Sequence, residues 1–528
     1  MIKLSDHLYI PPMGKVRESR ERSRRRSSHT RSYGAANRNR GNSDWTMTTT
    51  SSNYEIYVSL TALRARARQM CRDGSLFSKF LRMAEVNIVG QQGIQVDPRG
   101  KKATGKFKNK LNADLNDRVK AAFWEWGSDP NNCSVTGKVD LAAQQRLFVR
   151  TFLRDGEVLV VKHRTGPWGF QLKFIDPAYL DELFNTRLNN GNRVLMSVEV
   201  DANDRPVAYW LTPIATDTIF QPQSPTGRVR VEAKDVIHAF LVVDDDSQVR
   251  GVTWFHAGLL EGKNHNEYCK AVLNSAKVTA MAGGFLVPPV DDENGGFDGS
   301  PDDEGNVQAP EIDWRPMAMP ELPPGYDFKQ FDPKQPQANY AEYEKTLVHR
   351  LAGSFGVNYF SLAGDLEAVN YSSARVGLAE EREMWRILQD FVILHFCRPV
   401  YDEWLLAAMA SGKLDITAAE YESVRKPYWR PRGWPYIDPQ KEITAQLLGL
   451  ESGLLTLTGV LADRGVDVRD HCETLQQENE ILDEFNLPRP SNPKTAGPPA
   501  ADAGDTTDDT TPKGKRVLEN GHDHELIS

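Results

Sequence analysis

The sequence predicts an α+β protein built around unusually long helices. Two observations carry that expectation. Apolar residues recur at three- and four-residue spacing on both sides of the chain's middle, and the middle itself is a series of short β-rich runs bounded by Gly, Pro and Asp. The 528 residues allow roughly two to four domains. At 40% hydrophobic and 26% charged, most of the chain can close around cores. A net charge of -8 argues against a main surface that grips nucleic acid.

Each element follows in order. Residues 1–45 are basic and Ser/Asn-rich, centred on RESRERSRRRSSHTR, with no hydrophobic period; a disordered arm is expected. Its arginines over 20–26 suit either an acidic partner or a solvated tail. From Asn53, Leu60, Leu63, Ala67 and Met70 mark an amphipathic helix. A second helix runs from about Ser75 to Gly90, and GIQVDP reads as a short strand. Helical period returns over 109–127 and 140–155. GEVLVVKHR, FQLKFIDP, RVLMSVEVD, PVAYWLTP and DVIHAFLVV then supply strands.

After Gly251 a helix of about 30 residues is expected, ~45 Å long at 1.5 Å per residue. Gly258, Gly262, Cys269, Leu273, Ala276 and Ala280 make a small-residue stripe that admits a close neighbour. Lys263, Lys270 and Lys277 repeat every seven residues near one face. Residues 285–335 hold Pro, Gly and acid clusters and read as an irregular module. A helix over 337–355 precedes the polar loop GDLEAVNYSS, and about 40 helical residues follow it. Ser372 or Ser373 is the expected N-cap, and Pro399 the expected kink. YWRPRGWPYID reads as a rigid connector, 438–486 as three short helices, and the Pro/Ala/Asp/Thr-rich remainder as a disordered tail.

Catalytic signals fail on inspection. GKKATGKF at 100–107 approaches a phosphate loop, but Phe107 stands where a Mg²⁺-binding hydroxyl is required. The acidic run Asp244, Asp245, Asp246 has no partner cluster and suits a turn. The eleven histidines form no Cys/His set or H-E-x-x-H motif, no G-x-S-x-G elbow occurs, and His238 reads as a core histidine. No cofactor, metal or catalytic residue is expected. Cys71, Cys133, Cys269, Cys397 and Cys472 lie far apart, as free thiols in a reducing compartment would. No apolar run approaches the ~18–20 residues of a membrane span. The opening MIKLSDHLYIPPMGKV lacks a signal peptide's apolar core, so a cytosolic protein is expected.

Six segments, in order, resemble the lambda-type tailed-phage portal proteins. They are LRARARQMCRDGSLFSKFLRMAEVNIVGQQGIQV (63–96), LFVRTFLRDGEVLVV (147–161), LKFIDPAYL (172–180), SQVRGVTWF (247–255), VNYSSARVGLAEE (369–381) and WPYIDPQKEITAQLLGLESGLLTLTGVLADRGVD (434–467). The similarity spans about 45–486; the tails and 285–335 depart from it.

The resemblance implies the portal fold: a wing over 46–249, a first stem helix over 250–284, a clip over 285–335 and a second stem helix over 336–356. A tunnel loop over 357–372, a kinked long helix returning to the wing over 373–435 and a helical crown over 436–486 follow, before the tail at 487–528. It implies a noncatalytic homododecameric ring at one capsid vertex, the channel for DNA packaging and ejection, which nucleates assembly. The implied partners are double-stranded DNA, terminase, major capsid and scaffold proteins, and head-completion or tail-connector proteins, with no membrane. The implied location is the virion, with assembly in the host cytoplasm. In such a ring Gly364, Asn370, Tyr371, Ser372 and Ser373 would face DNA through weak contacts, and Asn370 to Ser373 would also cap a helix. Lys263, Lys270 and Lys277 would either line the channel or form a solvated face. The competing readings are a packaging nuclease-ATPase, which the Phe107 defect opposes, and a minor head or DNA-binding assembly protein that forms no ring.

Overall fold

The computed structural model describes residues 46, 48–101, 112–212, 227–280, 284–287, 327–330, 340–367, 370–434, 439–464, 466–485 and 487. The expected basic arm, nearly all of the expected tail, and the phosphate-loop-like stretch beyond Lys101 lie outside these residues. Two compact units divide at Ile437 and Asp438.

The first helical pattern becomes α1 (Ser52–Asp73) and α2 (Ser75–Ala84). α1 buries Ile56, Leu60, Arg64 and Ala67, the spacing of one helix face. Beyond α2 the helix widens into a π-turn, Glu85–Val89, which stops at Gly90. GIQVDP supplies β1 (Gln95–Asp97). Its partner is remote: it pairs antiparallel with Tyr428–Arg430, so part of the presumed connector is a strand. Next come α3 (Ala113–Ser128), α4 (Pro130–Cys133) and α5 (Leu141–Asp155). Asp140 caps α5, its Oδ1 accepting the Ala143 N–H at 2.7 Å. Gly156 ends it at φ 88°, where an added Cβ would stand 2.2 Å from the Val252 carbonyl carbon.

The middle region forms β2 (Glu157–His163), β3 (Gln171–Ile175), β4 (Thr186–Arg187), β5 (Arg193–Leu195), β6 (Val198–Val200), β7 (Pro206–Leu211), β8 (Val229–Glu232) and β9 (Val236–Phe240). Two antiparallel sheets result, ordered β3-β2-β9 and β4-β5-β6-β7-β8. RVLMSVEVD is a hairpin, not the single strand its composition suggests. Leu195 pairs with Val198, and the two turn residues Met196 and Ser197 take φ of 48° and 69°. A tight two-residue turn needs positive φ, which usually selects Gly or Asn. Here tertiary bonds hold it instead: Asn185 Oδ1 accepts the Met196 N–H at 2.9 Å, and the Ser197 hydroxyl donates to the Asp181 carbonyl at 2.8 Å.

The chain continues as α6 (Leu259–Ala280), β10 (Gly284–Val287), β11 (Asp327–Gln330), α7 (Tyr340–Phe355), α8 (Tyr359–Ala363), α9 (Tyr371–Val392), α10 (Arg398–Ala410), α11 (Ala418–Val424) and β12, the strand Tyr428–Arg430 named above. The helix expected from 252 begins only at Leu259. The preceding residues are used as a turn that plugs the core. Phe255 is fully buried, and the Trp254 indole donates to the Phe355 carbonyl at 3.0 Å. Phe77, Phe80, Phe255 and Phe355 meet with ring centroids 4.9–5.6 Å apart, and Trp385 of α9 adds a fifth ring. At the expected kink, α9 passes through a π-turn, Ile393–Cys397, before α10. Arg398 N bonds back five residues to Ile393, the wide turn that accommodates Pro399, which has no N–H to give.

The second unit contains α12 (Pro439–Glu451), α13 (Leu457–Ala462) and α14 (Val468–Glu484). Thr456 caps α13 and Asp467 caps α14. The expected three helices are present, though α14 is 17 residues long rather than short.

One buried ion network joins the elements of the first unit. Glu157, fully buried, accepts from Arg250 at 2.6 and 2.9 Å, from Arg64 of α1 at 2.7 Å and from His238 of β9 at 3.1 Å. Burial raises the cost of its charge, but Arg250, His238 and Arg64 more than offset it and hold the carboxyl well below the usual range. Burial pushes His238 the other way, below its ordinary 6.5, because two guanidinium groups already neutralise Glu157.

Replacing Glu157 with Gln should destabilise the protein by about 3–5 kcal/mol, since breaking a buried pair strands the opposite charge; chemical denaturation followed by tryptophan fluorescence reads it. The depressed His238 value means the unfolded chain binds more protons near neutrality. That contribution to stability is whole above pH 6.5 and shrinks as pH falls below it, whereas that of Glu157 persists to more acidic pH. His238→Gln should therefore flatten the decline in unfolding midpoint between pH 6.5 and 4.5, checked by thermal melts across that range.

Candidate functional site

Two helices of the first unit lie side by side. α6 and α7 run antiparallel: Gly258 lies against Ser354 and Leu351, Glu261 pairs with Arg350, and the Tyr340 hydroxyl donates to Cys269 Sγ at 3.4 Å. Past their far ends, β10 and β11 pair with Gly284 opposite Gln330 and Val287 opposite Asp327. The intervening 288–326, most of the expected irregular module, lies outside the described residues.

Gly258, just before α6, and Gly262 within it explain the helix's seating. A Cβ on Gly258 would meet Ser354 Oγ at 2.5 Å, and one on Gly262 would meet the Phe77 ring at 2.4 Å. Further along the stripe Leu273 and Ala276 are exposed. Lys263, Lys270 and Lys277 are all exposed. Lys263 Nζ lies 3.4 Å from Glu267, an exposed pair of small energetic value.

The 357–372 span expected as a loop is partly helical, because α8 occupies Tyr359–Ala363 and α9 begins at Tyr371. Gly364 ends α8 at φ 80°, a left-handed conformation that Gly adopts without strain. The Tyr359 ring stacks on His349 with centroids 3.9 Å apart, and its hydroxyl donates to Asp365 Oδ2 at 3.1 Å. Asp365 Oδ1 in turn accepts the Glu367 N–H at 3.1 Å. Residues 368–369 lie outside the described set.

The N-cap of α9 is Asn370, whose Oδ1 accepts the Ser373 N–H at 2.8 Å, and neither Ser372 nor Ser373 takes that role. The sequence offered three short polar side chains within four residues, Asn370, Ser372 and Ser373, and only backbone geometry selects among them. Tyr371, Ser372 and Ser373 open the helix, and both serines are exposed. Leu366, Val376 and Ile387 are each about 70% exposed, so apolar surface runs along the loop and α9.

The remaining sequence signals resolve as architecture. Asp245 accepts from the Ser52 hydroxyl at 2.9 Å and from the Ser247 N–H at 2.9 Å, tying a turn to the start of α1. Burial pushes the Cys71 and Cys133 thiols up to about 12. A cavity of about 510 Å³ is lined by Arg68, Arg72, Arg82, Arg150 and Arg154, but Asp155, Asp176 and Glu85 already engage three of these arginines. One grouping was missed by sequence reading: His265, Cys269 and Glu344 bring a nitrogen, a sulfur and a carboxylate oxygen within 4.8 Å of one another. The His-x-x-x-Cys spacing in HNEYC was its only linear trace, because Glu344 comes from α7.

The antiparallel α6 and α7, the β10–β11 pair and the loop heading α9 are elements that the sequence resemblance to the phage portal class leads one to expect. The description "Phage portal protein, lambda family" matches residues 38–389. A probable portal protein of Halomonas phage phiHAP-1 is 32% identical over 479 residues, covering 88% of this chain and 90% of that one. Portal protein B of Escherichia phage lambda is 23% identical over 256 residues, 44% of this chain and 48% of the relative. The chain belongs to the lambda family of phage portal proteins. It is a portal protein and a virion component, and ring formation and a role in genome packaging follow from that membership. Solved neck and virion structures of gene transfer agent particles are also matched, at 14% and 15% identity. They cover 80% and 82% of this chain and 94% of each matched chain, with TM-scores of 0.39 and 0.38, too low to carry an argument.

Proposed function

We propose that twelve copies of this chain form the ring at one capsid vertex, and that double-stranded DNA enters and leaves through its bore. The observation that supports this most directly is the exposed apolar side of the loop and α9. Leu366, Val376 and Ile387 have no cover in one chain, and a neighbouring copy would bury them. In this reading residues 46–249 form the wing, α6 and α7 the stem, 285–335 the clip, 357–372 the tunnel-loop region, α9 and α10 the long helix, and 436–486 the crown.

The chain itself is noncatalytic and transmits the work of a separate terminase, which docks at the clip. Head-completion or tail-connector proteins hold the clip later, and capsid and scaffold proteins meet the ring when it nucleates assembly in the host cytoplasm. Twelve copies of a chain of net charge -8 carry about -96, a wall from which DNA slides rather than sticks. Loop contacts must be weak for the same reason, because phosphate contacts accumulate and depend steeply on salt. Gly364, Asn370, Tyr371, Ser372 and Ser373 offer no cation, which suits contacts that break repeatedly.

Deleting 365–369, which spares the Gly364 and Asn370 caps, should leave rings intact in negative-stain images while phage titre and packaged DNA fall. A normal titre overturns the tunnel-loop assignment, and a strict monomer under assembly conditions favours the minor-head reading. Changing Lys263, Lys270 and Lys277 together to Gln should alter the salt dependence of packaging without changing ring yield. Loss of rings alone assigns the lysines to assembly instead.

A further inference from the structure

His265 and Cys269 stand one turn apart on α6, so both side chains leave the same face. That face meets α7, where Glu344 stands opposite. Cys269 Sγ lies 3.7 Å from His265 Nε2, and Glu344 Oε1 lies 3.9 Å from the same nitrogen. The second separation is too long for a hydrogen bond, and the first is at the long limit even for sulfur. The three groups converge through long contacts, with Cys269 Sγ also accepting from the Tyr340 hydroxyl. A tetrahedral ion with bonds of about 2.0–2.3 Å holds its donors roughly 3.3–3.8 Å apart; the two separations to His265 Nε2 are close to this, and all three donors lie within 4.8 Å of one another.

We propose that His265, Cys269 and Glu344 bind a divalent ion of the zinc class and clasp the two antiparallel helices together. A thiolate, an imidazole and a carboxylate form a borderline-soft donor set that favours Zn²⁺ or Co²⁺ over Mg²⁺ or Ca²⁺. Three protein ligands leave a fourth position for water. The Tyr340 hydroxyl, 3.4 Å from the sulfur, supports the thiolate from outside the coordination sphere. Binding displaces the thiol proton to solvent and changes no oxidation state.

The location gives the clasp a purpose. Beyond Gly262 the exposed residues of α6 include Lys263, Asn264, Glu267, Lys270, Ala271, Leu273 and Asn274, so this half of the helix has little core to hold it. An ion shared between α6 and α7 fixes their register just before the chain departs into β10. This claim is independent of the subunit count and of what passes through the ring.

The test is titration of the full-length, chelator-treated protein with Co²⁺ alone, followed by displacement with Zn²⁺. One equivalent per chain should give an intense thiolate-to-cobalt absorption band and the strong visible bands of a tetrahedral ion. Zn²⁺ should abolish both and raise the unfolding midpoint. Cys269→Ser should lose the thiolate band. Glu344→Gln should keep it but weaken binding by more than roughly 100-fold, since even an outer partner of a metal ligand is worth 10–100-fold. Cys472→Ser serves as the control, because exposed Cys472 follows His471, and it should leave the titration unchanged. Absence of the band in the unmodified protein overturns the proposal whatever the variants do. A band that survives Cys269→Ser but disappears with Cys472→Ser overturns it equally.

Discussion

The Glu157 carboxylate, sealed from solvent, is the point at which α1, β2, β9 and the turn before α6 meet. Arg64 brings α1 to it, His238 brings β9, and the Gly251 N–H reaches it at 3.2 Å. Arg250 does more than pair with it. Its guanidinium also donates to the carbonyls of Leu180, Met196 and Pro177 at 3.1, 2.9 and 3.3 Å. Those carbonyls belong to the positive-φ hairpin turn and the segment beneath it, so one side chain ties the five-stranded sheet to the three-stranded one. Satisfying nearly every donor of a buried arginine is what makes such a charge tolerable, since an unpaired one would cost several kcal/mol.

That node depends on two glycines. A Cβ on Gly251 would stand 2.2 Å from the Gly156 carbonyl oxygen, and one on Gly156 would strike the Val252 backbone. Two backbones therefore touch where α5 turns into β2 and where the chain leaves β9 for α6. The close approach brings residues 157 and 250 together, and it also sets the path of the chain toward α6. Phe255 then locks this turn among the rings of Phe77, Phe80 and Phe355, so the outgoing and returning helices share one aromatic anchor.

Away from that anchor the character changes. α6 and the start of α9 keep their polar and small residues on the outside, and several large apolar side chains face outward as well. A helix of 22 residues, about 33 Å long, packs here against α7 through Tyr268 and Cys269, while its outer side stays exposed. In the proposed ring neighbouring subunits would cover these outward faces, and a metal between α6 and α7 would add an internal tie. The same economy appears in the loop before α9: Asp365 braces Tyr359 and Asn370 caps the helix, which leaves a short segment between two fixed points.

The sequence by itself determined the α+β class, most helices and strands, the end of α5 at Gly156 and, through six ordered segments, the family. These are readings of local periodicity, capping chemistry and linear order, which a single chain segment carries within itself. Tertiary structure decided the rest. It split RVLMSVEVD into a hairpin, because bonds from Asn185, Ser197 and Arg250 hold a turn that Met and Ser would not choose alone. It paired GIQVDP with a strand more than three hundred residues away, delayed α6 to Leu259, chose Asn370 over two serines and gathered His265, Cys269 and Glu344. In each case the deciding partner lies across space rather than along the chain, and periodicity carries no record of which distant segment will arrive.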